Sequence, residues 1–175
     1  MSITQFNASY VGDEDRVLFR FNTTKSQEFR LWLTRAIVRD LLTLGAQAAV
    51  AVVAREHPPE QAKAIAEFKQ QTQAQSAKFT TFTPATQFPL GAEPVLVKRV
   101  RFTLDKTHSA LEFELQRGQV LTMQLTEQMV GQLRVLLETI EHKAAWDLGT
   151  QRSLPRNDDA GVSAPTVSAD PKVIH

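Results

Sequence analysis

A nine-residue pattern occurs twice in this chain and limits what it can fold into. Leu33-Thr34-Arg35-Ala36-Ile37-Val38-Arg39-Asp40-Leu41 returns as Leu125-Thr126-Glu127-Gln128-Met129-Val130-Gly131-Gln132-Leu133, with Leu, Thr, Val and Leu identical at matched positions. Met129 stands where Ile37 does. In both copies alternating residues lead into the Thr, and an apolar pattern of helical period follows it. A Thr in that place can accept an unpaired N–H of the first helical turn. Each copy therefore reads as a strand running straight into a helix.

The residues upstream extend the likeness. Ile3 to Tyr10 reads as a strand with Phe6, Ala8 and Tyr10 on one side, and Gly12-Asp13-Glu14-Asp15 as a turn. Arg16 to Asn22 and Glu28 to Leu33 alternate, placing Val17, Phe19, Phe21, Phe29, Leu31 and Leu33 on one apolar face. The helix opened by Thr34 is expected to run to about Glu56, where His57-Pro58-Pro59 must end it. In the second half Val95 to Leu104, Ala110 to Gln116 and Val120 to Leu125 form three strands, and a helix follows from Thr126. Matching by apolar pattern sets Val17-Phe19-Phe21 against Leu111-Phe113-Leu115, which makes the later hairpin of the second half two residues shorter.

Between the halves lie a Gln- and Ala-rich segment, Glu60 to about Lys78, and a proline- and phenylalanine-rich one, Phe79 to Pro94. The first is expected as a weakly anchored surface helix, and the second as an extended strap lying on the body. The fold class is thus α+β: tandem βββα repeats, antiparallel three-stranded meanders each followed by a helix, plus a connecting helix. Residues 1–149 are expected as one domain, with repeat 1 at 3–56, the connecting helix and strap at 57–94, and repeat 2 at 95–148. From residue 150 to residue 175 Pro, Ser, Asp and Ala dominate, a composition expected to be disordered because it buries too little to offset ordering entropy.

Several chemistries are excluded by residue content. There is no Cys, which removes disulfides, zinc-thiolate sites and thiol catalysis. The glycines are isolated, so neither a P-loop nor a dinucleotide fingerprint exists. His57, His108, His142 and His175 fall at a helix end, a turn, a helix surface and the last residue, with no nucleophile elbow among them. No enzyme and no cofactor is expected. Asp13-Glu14-Asp15 reads as a solvated turn, since dedicated Ca²⁺ loops space their ligands around a glycine. Met1 to Tyr10 lacks a basic start and an apolar run, and the weakly polar stretch Gly45 to Ala54 is roughly half of what a bilayer span needs. A cytoplasmic protein with no membrane partner is the expectation.

The outer strand faces offer the remaining signal. In the first half they carry Arg16, Arg20, Arg30 and Trp32, and Arg35 and Arg39 follow one turn apart at the start of the helix, against its dipole. Basic residues interleaved with an aromatic can hold phosphate while the ring stacks on a base. The competing reading is a solvated face in which the arginines pair with Glu28 and Asp40. The second half presents Glu112, Glu114, Gln116, Thr122 and Gln124 with Arg99 and Arg101.

The element order is similar to that of the Whirly and Pur-type single-stranded nucleic-acid binders, which usually have four strands per unit where three are counted here. No residue motif is shared, so the resemblance assigns no site residues. The first helix has an apolar stripe wider than one sheet face covers. On that basis the leading expectation is a non-catalytic protein-interaction or scaffolding module, a homo-oligomer or binder of a protein partner. The alternative is a single-stranded DNA or RNA binder using Arg16, Arg20, Arg30, Trp32, Arg35 and Arg39.

Overall fold

A computed structural model describes residues 1–76, 81–104 and 109–148. Within them the chain is α+β, with six strands and three α-helices. Strands β1 (Ile3–Val11), β2 (Arg16–Thr23) and β3 (Glu28–Leu33) lead into α1 (Arg35–Val53). Helix α2 (Pro59–Ser76) follows, and β4 (Val95–Leu104), β5 (Ser109–Leu115) and β6 (Val120–Leu125) lead into α3 (Glu127–Lys143). The first helix ends at Val53, one turn before the prolines. The 150–175 tail, Lys78 and Phe79, and His108 lie outside the described residues.

The caps form as the Thr positions require. Thr34 accepts from the Ile37 N–H at 3.4 Å and Thr126 from the Met129 N–H at 3.3 Å, each with extended backbone. The strands form one sheet in sequence order. Neighbours are antiparallel except at β3 and β4, whose parallel seam is Leu31 with Val95 and Trp32 with Leu96. A second parallel contact, Ser2 with Gln124, brings the start of β1 to β6. The sheet therefore curls until its two ends touch.

Register corrects one alignment made from the apolar pattern. Val17 pairs with Leu33, Phe19 with Leu31 and Phe21 with Phe29; Ser109 pairs with Leu125, Leu111 with Met123 and Phe113 with Leu121. Val17 thus corresponds to Ser109 rather than Leu111, and the β2–β3 and β5–β6 hairpins are equal in length. The two-residue difference lies in the earlier turn, where Tyr10 faces Val17 but Leu104 faces Ser109. Alternation alone cannot detect this, because a slip of two residues leaves every side chain on its own face. With the corrected correspondence, the bulge between Ile3 and Gln5 matches the bulge between Val97 and Arg99. The two parallel seams match as well, Trp32–Leu96 with Gln124–Ser2.

One apolar core joins the halves. Phe19 and Phe113 meet across it with ring centroids 6.0 Å apart, and both are fully buried. Ile37, Val38, Leu41 and Leu42 of α1 and Val130, Leu133, Leu137 and Ile140 of α3 complete the same cluster. Each helix reaches beyond its own meander, α1 onto β4 and α3 onto β1, and the two helices pack on each other. At their crossing the stem of Arg134 lies against Gly45, where a Cβ would come within 2.9 Å of Arg134 Cγ.

By length and composition α1 would qualify to cross a membrane. Here its inner rows enter the core, and α2 and α3 pack against part of its wide apolar stripe. Ala62 and Ala66 of α2 are buried against Val53, with Ala49, Val50 and Ile65 beside them. Small side chains let α2 approach closely, so it is better anchored than its few large apolar residues suggest. This chain's own helices supply part of the coverage that the apolar stripe demands; Leu44, Ala49, Val50 and Val52 remain half-buried and Ala51 exposed.

Candidate functional site

The expected basic face separates into two places. Arg16, Arg20, Arg30 and Trp32 share the outer face of β2 and β3, where Arg20 stands directly opposite Arg30. Arg35 and Arg39 lie on the first turns of α1, apart from that face. Arg39 approaches its neighbour Asp40 at 3.9 Å, and Arg16 reaches Glu14 at 3.6 Å. Such exposed pairs contribute little. Trp32 is half-buried opposite Leu18 and beside Leu96.

Two arginines facing each other across a ladder repel, and the structure relieves this with a segment, residues 81–94, laid over the face, open as far as Phe88 and turning there through Gly91. The Arg20 guanidinium stacks under Phe82 at 4.5 Å and that of Arg30 under Phe88 at 4.6 Å. Arg20 also donates to Asn7 Oδ1 at 3.0 Å. Arg30 donates to Glu28 Oε1 at 2.7 Å and to the Ala92 carbonyl at 3.0 Å. Glu28, read from sequence as a strand end that pairs with arginine, is fully buried beneath the segment.

The remaining bonds are made to the segment's main chain. The Thr83 carbonyl accepts from Gln5 Nε2 at 2.6 Å and from Asn22 Nδ2 at 2.7 Å. The Ala85 N–H donates to Glu28 Oε2 at 3.0 Å, and the Glu28 N–H donates to the Gln87 carbonyl at 2.8 Å. Sequence reading placed a strap on the body. It missed that Phe82 and Phe88 are the rings over Arg20 and Arg30; two phenylalanines in a proline-rich stretch were the available signal.

The equivalent outer face on β4–β6 carries no such cover among the described residues. The corrected correspondence puts Glu112 where Arg20 stands, Glu114 for Asn22 and Arg99 for Gln5. Arg99 pairs with Glu114 at 3.5 Å, and Val120, in the place of Glu28, is 57% exposed. The two faces therefore differ in chemistry while sharing strand order and the register of their later hairpins.

A second polar cluster explains the arginine that opposes the α1 dipole. Asp15, in left-handed conformation at the end of the first turn, accepts from Trp146 Nε1 at 2.8 Å, Tyr10 Oη at 3.0 Å and Arg35 at 3.2 Å. The Trp146 ring meets Tyr10 edge-on at 5.4 Å, and Arg35 lies over it at 5.3 Å. The Trp146 N–H foremost, then the Tyr10 hydroxyl, holds the Asp15 carboxyl below the usual carboxylate range. The same bond raises Tyr10. This cluster ties the first turn, the start of α1 and the end of α3 together. The solvated turn expected from Asp13-Glu14-Asp15 is thus an anchor at its third residue.

Between the three helices lies a cavity of about 40 Å³, lined by Ala48, Val52, Ala66, Lys69, Val130 and Arg134 among others. Burial lowers the pKa of the Arg134 guanidinium, which Glu138 at 3.4 Å counters. The space suits a water or two rather than a metabolite. No group of three or more metal-ligating side chains occurs among the described residues. The chain matches no protein-family model, no curated protein and no solved structure.

Proposed function

We propose that the protein is a non-catalytic protein-interaction module, built from two copies of one βββα unit, that holds extended polypeptide on its outer sheet faces. The observation that carries the functional part is residues 81–94 on β1–β3. There the face already holds an extended chain, by amide and carboxylate side chains aimed at its main chain and by guanidiniums under two rings. Such contacts suit holding, because they read mainly a backbone and two aromatics, with Leu90 packed at the core's edge. Duplication is supported by the equal hairpins, the matched bulges and the matched seams. It accounts for two faces with one geometry, which have since diverged in side chains.

An array of extended peptides probed with the full-length protein tests this reading. Capture of aromatic-containing peptides, insensitive to nuclease, is the expected result. The competing reading, single-stranded nucleic acid on Arg16, Arg20, Arg30 and Trp32, predicts oligonucleotide binding that weakens steeply with salt and quenches Trp32 fluorescence. Oligonucleotide binding of that kind with no peptide captured would refute the interaction module.

A further inference from the structure

We infer that residues 81–94 are a displaceable resident occupant, and that the face beneath them takes a partner's extended segment carrying two aromatic side chains six positions apart. The inference rests on the interaction-module reading and names its partner. Four observations lead to it.

The segment is held but not buried. Phe82, Ala85, Phe88, Leu90 and Pro94 are half-buried and its other residues are exposed, so little apolar area opposes its release. The groups that grip it are aimed at main-chain atoms. Gln5 and Asn22 converge on the Thr83 carbonyl, and Glu28 takes the Ala85 N–H. Any extended polypeptide offers the same atoms; Phe82 and Phe88 are read as side chains by the two arginines, and Leu90 packs at the edge of the core.

The fit is also incomplete. Arg20 Nε and Asn22 Oδ1 are buried with no hydrogen-bond partner among the described residues, at the centre of the covered face. Buried polar atoms are seldom left so. An occupant with a donor and an acceptor at those points would complement the face better than the strap does. Finally, the Glu28 carboxylate lies wholly beneath the segment, with Oε1 held by Arg30 and Oε2 taking an N–H, a donor that a polypeptide backbone supplies and a phosphate does not. The chemistry points to polypeptide rather than nucleic acid.

Two measurements on the full-length protein decide the matter. A fluorescein-labelled peptide with the sequence of residues 81–94 is titrated against the wild type and against Phe82→Ala/Phe88→Ala. A tethered strap competes at an effective concentration on the order of millimolar, so the loosened variant is expected to bind the peptide at least tenfold more tightly. Adding Arg20→Ala/Arg30→Ala should abolish that gain. Equal binding to both proteins, or none to a loosened variant that keeps its circular dichroism, overturns the inference. So does a loosened variant that takes up a single-stranded oligonucleotide instead of peptide. Should the loosened variant unfold, hydrogen exchange on the wild type decides alone. The Ala85 and Glu28 amides should exchange at least a hundredfold faster than those of Phe19 and Leu31, and equal protection makes the strap part of the fixed fold. Array peptides captured by the wild type with the strap still protected would leave the interaction module standing and remove only the exchange.

Discussion

Trp146 lies three residues beyond α3, just past a helix end, yet it is 4% exposed. Truncation to Ala removes an indole packed edge-on against Tyr10 and roofed by Arg35, together with the N–H that meets Asp15 at 2.8 Å. Large-to-small changes of a buried Trp cost about 3–5 kcal/mol. The site borders the half-exposed carboxylate and guanidinium, so it can partly refill with water, and about 3 kcal/mol is expected. At about 2–4 °C per kcal/mol for a chain of this size, the melting temperature should fall by roughly 6–12 °C. Urea unfolding followed by far-ultraviolet circular dichroism measures the free-energy loss and a thermal melt the temperature shift, with Trp32 as the one remaining tryptophan. Trp146→Phe keeps a ring but no donor, and should cost less. A loss below about 1 kcal/mol for Trp146→Ala, with the spectrum unchanged, would show that the end of α3 is not anchored by this ring and that Arg35 is not placed for it.

Three further outcomes are expected. Asp15 has a depressed folded-state pKa, so its contribution is present above the unfolded value and is lost as pH falls through the depressed one; Asp15→Asn should flatten the acid limb of a stability–pH profile, and an unaltered limb would contradict the hydrogen bonds described. Thr34→Ala and Thr126→Ala should each cost about 1 kcal/mol in chemical denaturation, with Thr→Ser largely neutral; an effect at one site only would argue against equivalent caps. Gly45→Val should cost about 1–3 kcal/mol by driving an isopropyl group into the Arg134 stem, measured by thermal melting.

Most strands were legible because their apolar residues alternate without interruption, and β6 and the two Thr caps were located to the residue. What stayed hidden was set by contacts distant in sequence. Nothing local says that Arg35 stands against its helix dipole in order to reach Asp15 and Trp146. The register slip was invisible because period two repeats itself after two residues. The candidate site was half legible: Arg20 and Arg30 were placed on one face, but Phe82, Phe88 and the burial of Glu28 depend on where a proline-rich stretch comes to rest. The wide stripe of α1 called for a further neighbour, but that α2 is one of them was hidden, since alanine gives little periodic signal and still packs closely.

Helix α1 completes its packing on β4 and α3 on β1, so each half finishes the other's core. A fragment holding one meander and its helix would present bare apolar surface where its counterpart belongs. The protein should accordingly lose its structure in a single cooperative step, with calorimetric and van't Hoff enthalpies in agreement, rather than as two beads melting in turn.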